Sequence, residues 1–427
     1  MKGGGMKTTT HGLGVTIVAV TALLVAGCGN SEGEEGDVEL RFLWWGSDTR
    51  HALTEEVIEA YEEENPGVSI SAEYGGFDDH WDQLATQTAG GQAPDIIQMD
   101  EQYLREYADR GSLLELEGID LTKHDEAAVE NGKVDGQQFA VTMGINAQVL
   151  VADPQVFEEA GVELPDPMTW TWEDYASISA QITEQHEDAW GTSIPGGMGA
   201  FQTWMRQQGK SVATDAGELG FEASDASGYF QYFQALMDDG VLPPAELIQE
   251  NAGSTMEQSL AATGQQAIST WWSNEAVALS AAADRDLEIL RYPSFTGDAA
   301  DAEPWYKSSM YLSASAGTDH PEQVQDFIDF FVNSESAAEI VGVERGIPPN
   351  QEMRELVAED LSGMAAETLD YIDGIESDLG RPEPITPEGG SDFSSVLARY
   401  ELEVIFGRLS PDEAGRSLVE EASAQLS

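Results

Sequence analysis

Two pairs of adjacent tryptophans, Trp44-Trp45 and Trp271-Trp272, each stand where a short apolar run ends. Two flat apolar rings at the edge of a sheet form either core or one wall of a binding cleft. Trp81 in FDDHWDQLA, Trp204 in AFQTWMRQ and Trp305 beside Tyr306 pose the same choice between packing and ligand contact. Asp100 closes the apolar run APDIIQMD, with Gln102 and Tyr103 just after it. The carboxyl end of a strand is where open α/β sheets bind ligands, so these three join the candidates against a reading as plain surface. Trp170, Trp172 and Trp190 read as structural.

Reaction chemistry has less to stand on. The chain holds no G-x-S-x-G, no H-E-x-x-H, no phosphate-binding Walker loop and no C-x-x-C. Carboxylate pairs for glycoside hydrolysis carry no information in a chain with 79 Asp and Glu. The six histidines show no metal-ligand spacing. We therefore expect neither catalysis nor a cofactor or metal. A surface carbohydrate-active enzyme is one alternative, which turnover of a bound ligand would expose. A lipid-anchored adhesive or structural protein is another, which closure of a single cleft on a small ligand would exclude.

Charge narrows the partners. Against those 79 acids stand 19 Lys and Arg, a formal net charge of −60. Such a chain repels nucleic acid and anionic membrane. The acids are dispersed and lysine is scarce, which suggests an exterior adapted to high salt, where screening relieves self-repulsion.

The beginning of the chain reads as an export signal. Lys2 and Lys7 precede an apolar run from Leu13 to Val25, too short to span a bilayer comfortably. Leu24-Val25-Ala26-Gly27-Cys28 resembles a bacterial lipoprotein cleavage site, and Cys28 is the single cysteine, so no disulfide forms within the chain. The expectation is a signal peptide over 1–27, lipid on Cys28, and a Gly-rich polar tether over 28–37. The protein is then extracytoplasmic, held at the outer face of the cell membrane.

After the tether, strands and helices alternate. Val38, Leu40, Phe42 and Trp44 alternate with Glu39, Arg41 and Leu43, the period of a strand. Leu53, Val57, Ile58 and Tyr61 recur at helical spacing until Asn65-Pro66-Gly67 stops them. VSISAEYGG, a helix ending at Gly90-Gly91, APDIIQMD and a further helix continue an α/β pattern. Asp153-Pro154 and Thr171 with Asp174 read as helix starts, and the tail from 351 reads as helical and acidic. At 427 residues, two lobes suit the chain better than one core.

In order, FLWWGSDTRH, YEEENPGVSI, LATQTAGGQAPDIIQMD, the stretch from GKVDGQQFAVTMGINAQVLVAD to TWTWEDY, HPEQVQDFIDFFVNSES and GVERGIPPN resemble one family. It is the extracellular solute-binding proteins of ABC importers, in the carbohydrate-binding branch that includes maltose-binding protein. The similarity spans nearly all of 38–427. One stretch departs from it: INAQVLVAD lacks the apolar-Tyr-Asn run common at the first crossing, leaving Asn146 as the candidate there.

The resemblance implies a two-lobed α/β fold, periplasmic-binding-protein-like, each lobe a mainly parallel sheet flanked by helices. Lobe 1 would comprise 38–143 and 307–345, lobe 2 would comprise 144–306 and 346–427. Three inter-lobe crossings are expected near 141–145, 303–308 and 343–348, with Gly144 and Gly346 as pivots. The implied function is capture of a sugar or oligosaccharide between hinged lobes and delivery to ABC permease subunits, by a monomer. A non-sugar solute on the same fold is the alternative. Tryptophan covers the C–H face of a sugar and fixed polar groups satisfy its hydroxyl edge. One ring of Trp44–Trp45 is expected on the sugar and the other in core, with Trp271 or Trp272 opposing it from lobe 2. Arg345, before GIPPN, either donates to ligand or pins the hinge. An acidic sugar is disfavoured unless Arg50, Arg345 or Lys307 lines the cleft.

Overall fold

The computed structural model describes residues 38–426 apart from 195, 215 and 388. The expected signal peptide over 1–27, Cys28 and the expected tether over 28–37 lie outside the described residues.

Eleven strands are described: β1 (Val38–Trp45), β2 (Val68–Gly75), β3 (Ile96–Met99), β4 (Lys133–Val134), β5 (Gln137–Gln138), β6 (Val141–Asn146), β7 (Gln148–Ala152), β8 (Trp190–Thr192), β9 (Gln266–Trp272), β10 (Glu288–Leu290) and β11 (Lys307–Ala314). Two sheets organise the lobes, in the orders β2-β1-β3-β11-β6 and β10-β7-β9-β8; β4 and β5 form a small hairpin.

Both sheets are mixed. In lobe 1, β1 pairs parallel with β2 and β3, with Phe42 opposite Ala72 and Ile96. β11 pairs antiparallel with β3 and β6. In lobe 2 only β8–β9 is parallel, while β7 runs antiparallel to β9 and β10. The expectation of mainly parallel sheets thus describes the first half of lobe 1 and not lobe 2. The cause is the crossings. β11 and β7 each enter their sheet from the other lobe, so they run against strands whose carboxyl ends point toward the junction.

Local sequence explains most elements. The helix Asp48–Glu64 starts at Ser47, whose hydroxyl accepts from the Arg50 amide, and buries Thr54, Val57, Ile58 and Tyr61. Asp153 caps Pro154–Ala160, and Thr171 with Asp174 forms a reciprocal capping box on Trp172–Gln185. The tail departs from the helical expectation. Helices Gln351–Ala358, Met364–Ile375, Phe393–Ile405 and Pro411–Gln425 are interrupted by chain without helix or strand over 379–387 and 389–392. Prolines 382, 384 and 387 and glycines 380, 389 and 390 explain the interruption.

Each lobe has its own core. Phe42, Trp44, Ile97, Leu104, Tyr311 and Phe327 belong to the first, and Trp172, Tyr175, Phe201, Trp204, Tyr229 and Phe233 to the second. A third cluster joins them: Ile145, Ala147, Tyr306, Ile347, Ile372 and Ile375. Here the crossings touch. The amides of Ile145 and Ile347 each donate to the other's carbonyl, at 2.8 and 3.1 Å. Gly144 leaves no room for a side chain, because a Cβ there would fall inside the Arg345 carbonyl. Gly346 takes a φ of +98°, which L side chains rarely adopt.

Candidate functional site

β1, β2 and β3 deliver their carboxyl ends to one edge of the lobe-1 sheet, and β9 delivers Trp271 and Trp272 to the corresponding edge in lobe 2. A cavity of about 300 Å³ lies between elements of the two lobes. From lobe 1 come Glu101 and Gln102, in the first turn of the helix Glu101–Asp109. From lobe 2 come Trp272, Met198, Gln202 and Phe393. Trp305, Tyr306, Lys307 and Ser308 line it along a crossing.

The aromatic part is an edge-to-face pair: the Trp272 and Trp305 rings lie 6.1 Å apart at 87°. Trp305 is buried and Trp272 half-buried, so Trp272 presents the more available ring. The Lys307 ammonium sits 5.5 Å from the Trp272 ring, and the Arg206 guanidinium 4.8 Å from the Trp305 ring. Beneath them Glu275 accepts from the Trp272 amide at 2.9 Å. Burial pushes its carboxyl up, against the pull of that hydrogen bond and of Lys307.

The irregular segment over 379–387 touches both lobes. Glu101 accepts from the Thr386 amide and hydroxyl at 2.9 and 2.6 Å, and Ile385 packs on the lobe-1 core. On the lobe-2 side, Arg206 pairs with Glu383 at 3.0 Å and donates to the carbonyls of Arg381 and Glu303. Burial raises the Glu383 carboxyl, opposed by Arg206.

The other expected residues fall into three groups. In lobe 1, Trp45, Phe77, His80, Trp81 and Tyr103 form an aromatic cluster, with Trp81 stacked on Tyr103 at 3.9 Å and Phe77 38% exposed. Burial drives His80 down to about 4, so it is neutral there. Asp100 is committed as the cap of Glu101–Asp109, accepting from the Gln102 amide at 3.0 Å.

A second group is internal. Trp44 has no exposed surface and donates to His51 at 3.0 Å. Trp204 packs against Trp172, Tyr232 and Phe295. Asn146 is buried at the first crossing, its Oδ1 without a partner. Arg345, 1% exposed, donates to Thr54 at 2.7 Å and lies over Phe331. Burial lowers it to about 9, with Arg50 adding to the effect. Arg50 itself is held by Glu344 at 2.9 Å.

Third, Trp271 points away from Trp272, as successive strand residues must. It lines a separate lobe-2 cavity of about 430 Å³ with Ser193, Thr270 and Glu401. Glu401 accepts from the Gly197 amide at 2.9 Å and the Tyr229 hydroxyl at 2.8 Å. Its burial pushes it up to about 7.

Of the expected residues, Gln102, Trp272 and Trp305 meet in the inter-lobe cavity, with Lys307, which had been held in reserve for an acidic ligand. Sequence reasoning missed Met198, Gln202, Phe393 and the spanning segment. Only the segment had a local signal, its prolines and glycines. Among the described residues, no group of three His, Cys, Asp or Glu is arranged to hold a metal ion. No described helix is long and apolar enough to cross a membrane.

Residues 56–365 match the family of bacterial extracellular solute-binding proteins. An uncharacterized lipoprotein from the oleD 5′ region of Streptomyces antibioticus is 25% identical over 329 residues, 74% of this chain and 71% of that protein. An extracellular solute-binding protein family 1 structure from Alicyclobacillus acidocaldarius is 25% identical, with a TM-score of 0.76 over 92% of this chain and all of that one. A periplasmic oligogalacturonide-binding protein from Yersinia enterocolitica has a TM-score of 0.77 at 21% identity, over 91% of this chain and 99% of that one.

Proposed function

This chain belongs to the bacterial extracellular solute-binding proteins, and on that premise we propose that it captures a sugar or oligosaccharide between two hinged lobes and delivers it to the permease of an ABC importer. Lipid on Cys28 would anchor it at the outer face of the cell membrane, where it would act as a monomer. The observation that carries the sugar reading is the inter-lobe cavity: an available Trp272 ring bordered by Gln102, Gln202, Lys307 and Ser308. Good stacking contributes about 0.5–1.5 kcal/mol per contact beyond area burial. Each hydroxyl left unmatched costs about 1–3 kcal/mol, which is the source of discrimination between epimers.

In this reading Trp272 and Trp305 hold the sugar from lobe 2, while Gln102, Tyr103, Trp81 and Trp45 meet it from lobe 1 on closure. Trp44, Trp204 and Arg345 support the walls. The crossings at Gly144–Ala147, Pro304–Lys307 and Arg345–Pro348 act as the hinge. The Yersinia neighbour, a binder of oligogalacturonide, supports a saccharide as cargo.

The test is a ligand screen on residues 29–427 in molar salt, reading tryptophan emission and melting temperature across neutral and acidic saccharides. A stoichiometric emission change with a higher melting temperature, and the sugar recovered unchanged, is the expected outcome. Turnover of the sugar would replace the receptor with an enzyme. Silence across the panel from folded protein would move the cargo to a non-sugar solute.

A further inference from the structure

We infer that the ligand carries an oxyanion, a carboxylate or phosphate on the sugar, and that one half of the inter-lobe space is built to receive it. This inference rests on the saccharide reading above. Beside the tryptophan-lined cavity lies a larger one of about 550 Å³. The two share Glu130, Pro382, Glu383 and Ile385, so they are neighbouring parts of one groove. The larger part is lined by Arg105 and Lys133 from lobe 1, Arg206 and Lys210 from lobe 2, and Arg381 from the spanning segment.

Five of the chain's 19 basic residues therefore face one cavity, in a protein of net charge −60. They come from positions dispersed across more than half the sequence. Acids also line the space: Glu130, Asp135, Glu303 and Glu383. Arg206 is spent on Glu383 and on main-chain carbonyls. The remaining pairs are exchangeable. Arg105 reaches Asp135 only at 3.4 Å, with Asp135 74% exposed, and Lys210 reaches Asp225 at 3.2 Å. Lys133, half-buried, pairs with the exposed Glu130 three residues back. Each of these pairs has one partner at least a third exposed, and pairs screened in this way contribute little and yield to a better acceptor. Arg381 is exposed and has no ion pair or side-chain hydrogen bond among the described residues. Its guanidinium is a planar fork that matches carboxylate or phosphate oxygens.

The general field of so acidic a protein works against an anionic ligand. A local cationic lining is what capture of one requires. Lys307 stands beside Trp272 and Arg381 lines the adjoining part of the groove, so a sugar held on the indole has cationic groups on offer in both parts.

The experiment is calorimetric titration of residues 29–427 with digalacturonic acid, the neutral α-1,4-linked digalactose and galactose 1-phosphate. Wild type is compared with Arg381→Gln, Lys133→Gln and, as a distant control, Arg416→Gln, each checked for folding by circular dichroism. The expected result is binding of an anionic probe at least tenfold tighter than the neutral disaccharide. Arg381→Gln and Lys133→Gln should each reduce that preference severalfold, while Arg416→Gln has no effect. Preference for the uronate or for the phosphate names the source of the oxyanion. Equal or tighter binding of the neutral disaccharide, or a preference indifferent to Arg381 and Lys133, overturns the inference and leaves the saccharide reading standing. Failure of all three probes together with every neutral sugar in the screen overturns both.

Discussion

Glu401 offers a stability prediction whose size follows from its surroundings. The carboxyl is enclosed in lobe 2 with two hydrogen bonds, from the Gly197 amide and the Tyr229 hydroxyl, and no basic partner among the described residues. Burial displaces it from the ordinary glutamate value of 4.5 to about 7. A carboxyl whose pKa is raised on folding stabilises the protein fully below its unfolded value. That stabilisation is lost as pH climbs through the folded value, here between about 4.5 and 7. The displacement corresponds to roughly 3 kcal/mol at pH 8. Glu401→Gln keeps an Oε1 acceptor for both donors and is neutral at every pH. It should match wild type near pH 4.5 and exceed it by roughly 2–3 kcal/mol at pH 8. Urea denaturation at fixed high salt, followed by tryptophan emission at several pH values, measures the difference between the two proteins. Taking the difference cancels the titration of the many surface acids. Parallel stability curves, or a variant less stable than wild type at pH 8, would refute the reasoning.

Three further outcomes are expected. Trp272→Ala should weaken saccharide binding about tenfold by titration, the loss of one stacking contact and its buried area, with little change in melting temperature. Gly144→Ala should cost about 1–3 kcal/mol in denaturant unfolding, because its Cβ collides with the Arg345 carbonyl at the contact between crossings. Arg354→Ala should cost about 3–5 kcal/mol by the same assay, since it strands the buried Asp125 carboxylate that Arg354 pairs with beneath the crossings.

The local elements were legible because their signals are local. Asp153 and Thr171 announce helix starts by side chains that satisfy free amides, and the period-2 pattern of β1 announces a strand. Strand direction was less legible. Whether β7 and β11 run with or against their neighbours depends on the lobe from which the chain arrives, which no short window contains. The Trp44–Trp45 pair shows a related limit. Alternation places the two rings on opposite faces, but β1 is central and covered on both sides, so Trp44 is fully buried and Trp45 nearly so. Trp271 and Trp272 separate more usefully, one into lobe 2 and one toward the junction. The cationic lining was illegible for the plainest reason. Arg105, Lys133, Arg206, Lys210 and Arg381 are isolated cations in an acidic sequence, and only folding gathers them.

The central claim is that two lobes close on a saccharide, and the distance between them tests it most directly. Cys28 is the single cysteine, so residues 29–427 accept a clean pair of spin labels. Asp82→Cys on an exposed helix position in lobe 1 and Glu173→Cys on another in lobe 2 provide the sites. Saturation with the saccharide identified by the screen should shorten and narrow the label-to-label distance distribution. A distribution that is unchanged at saturating ligand would contradict capture by hinged closure.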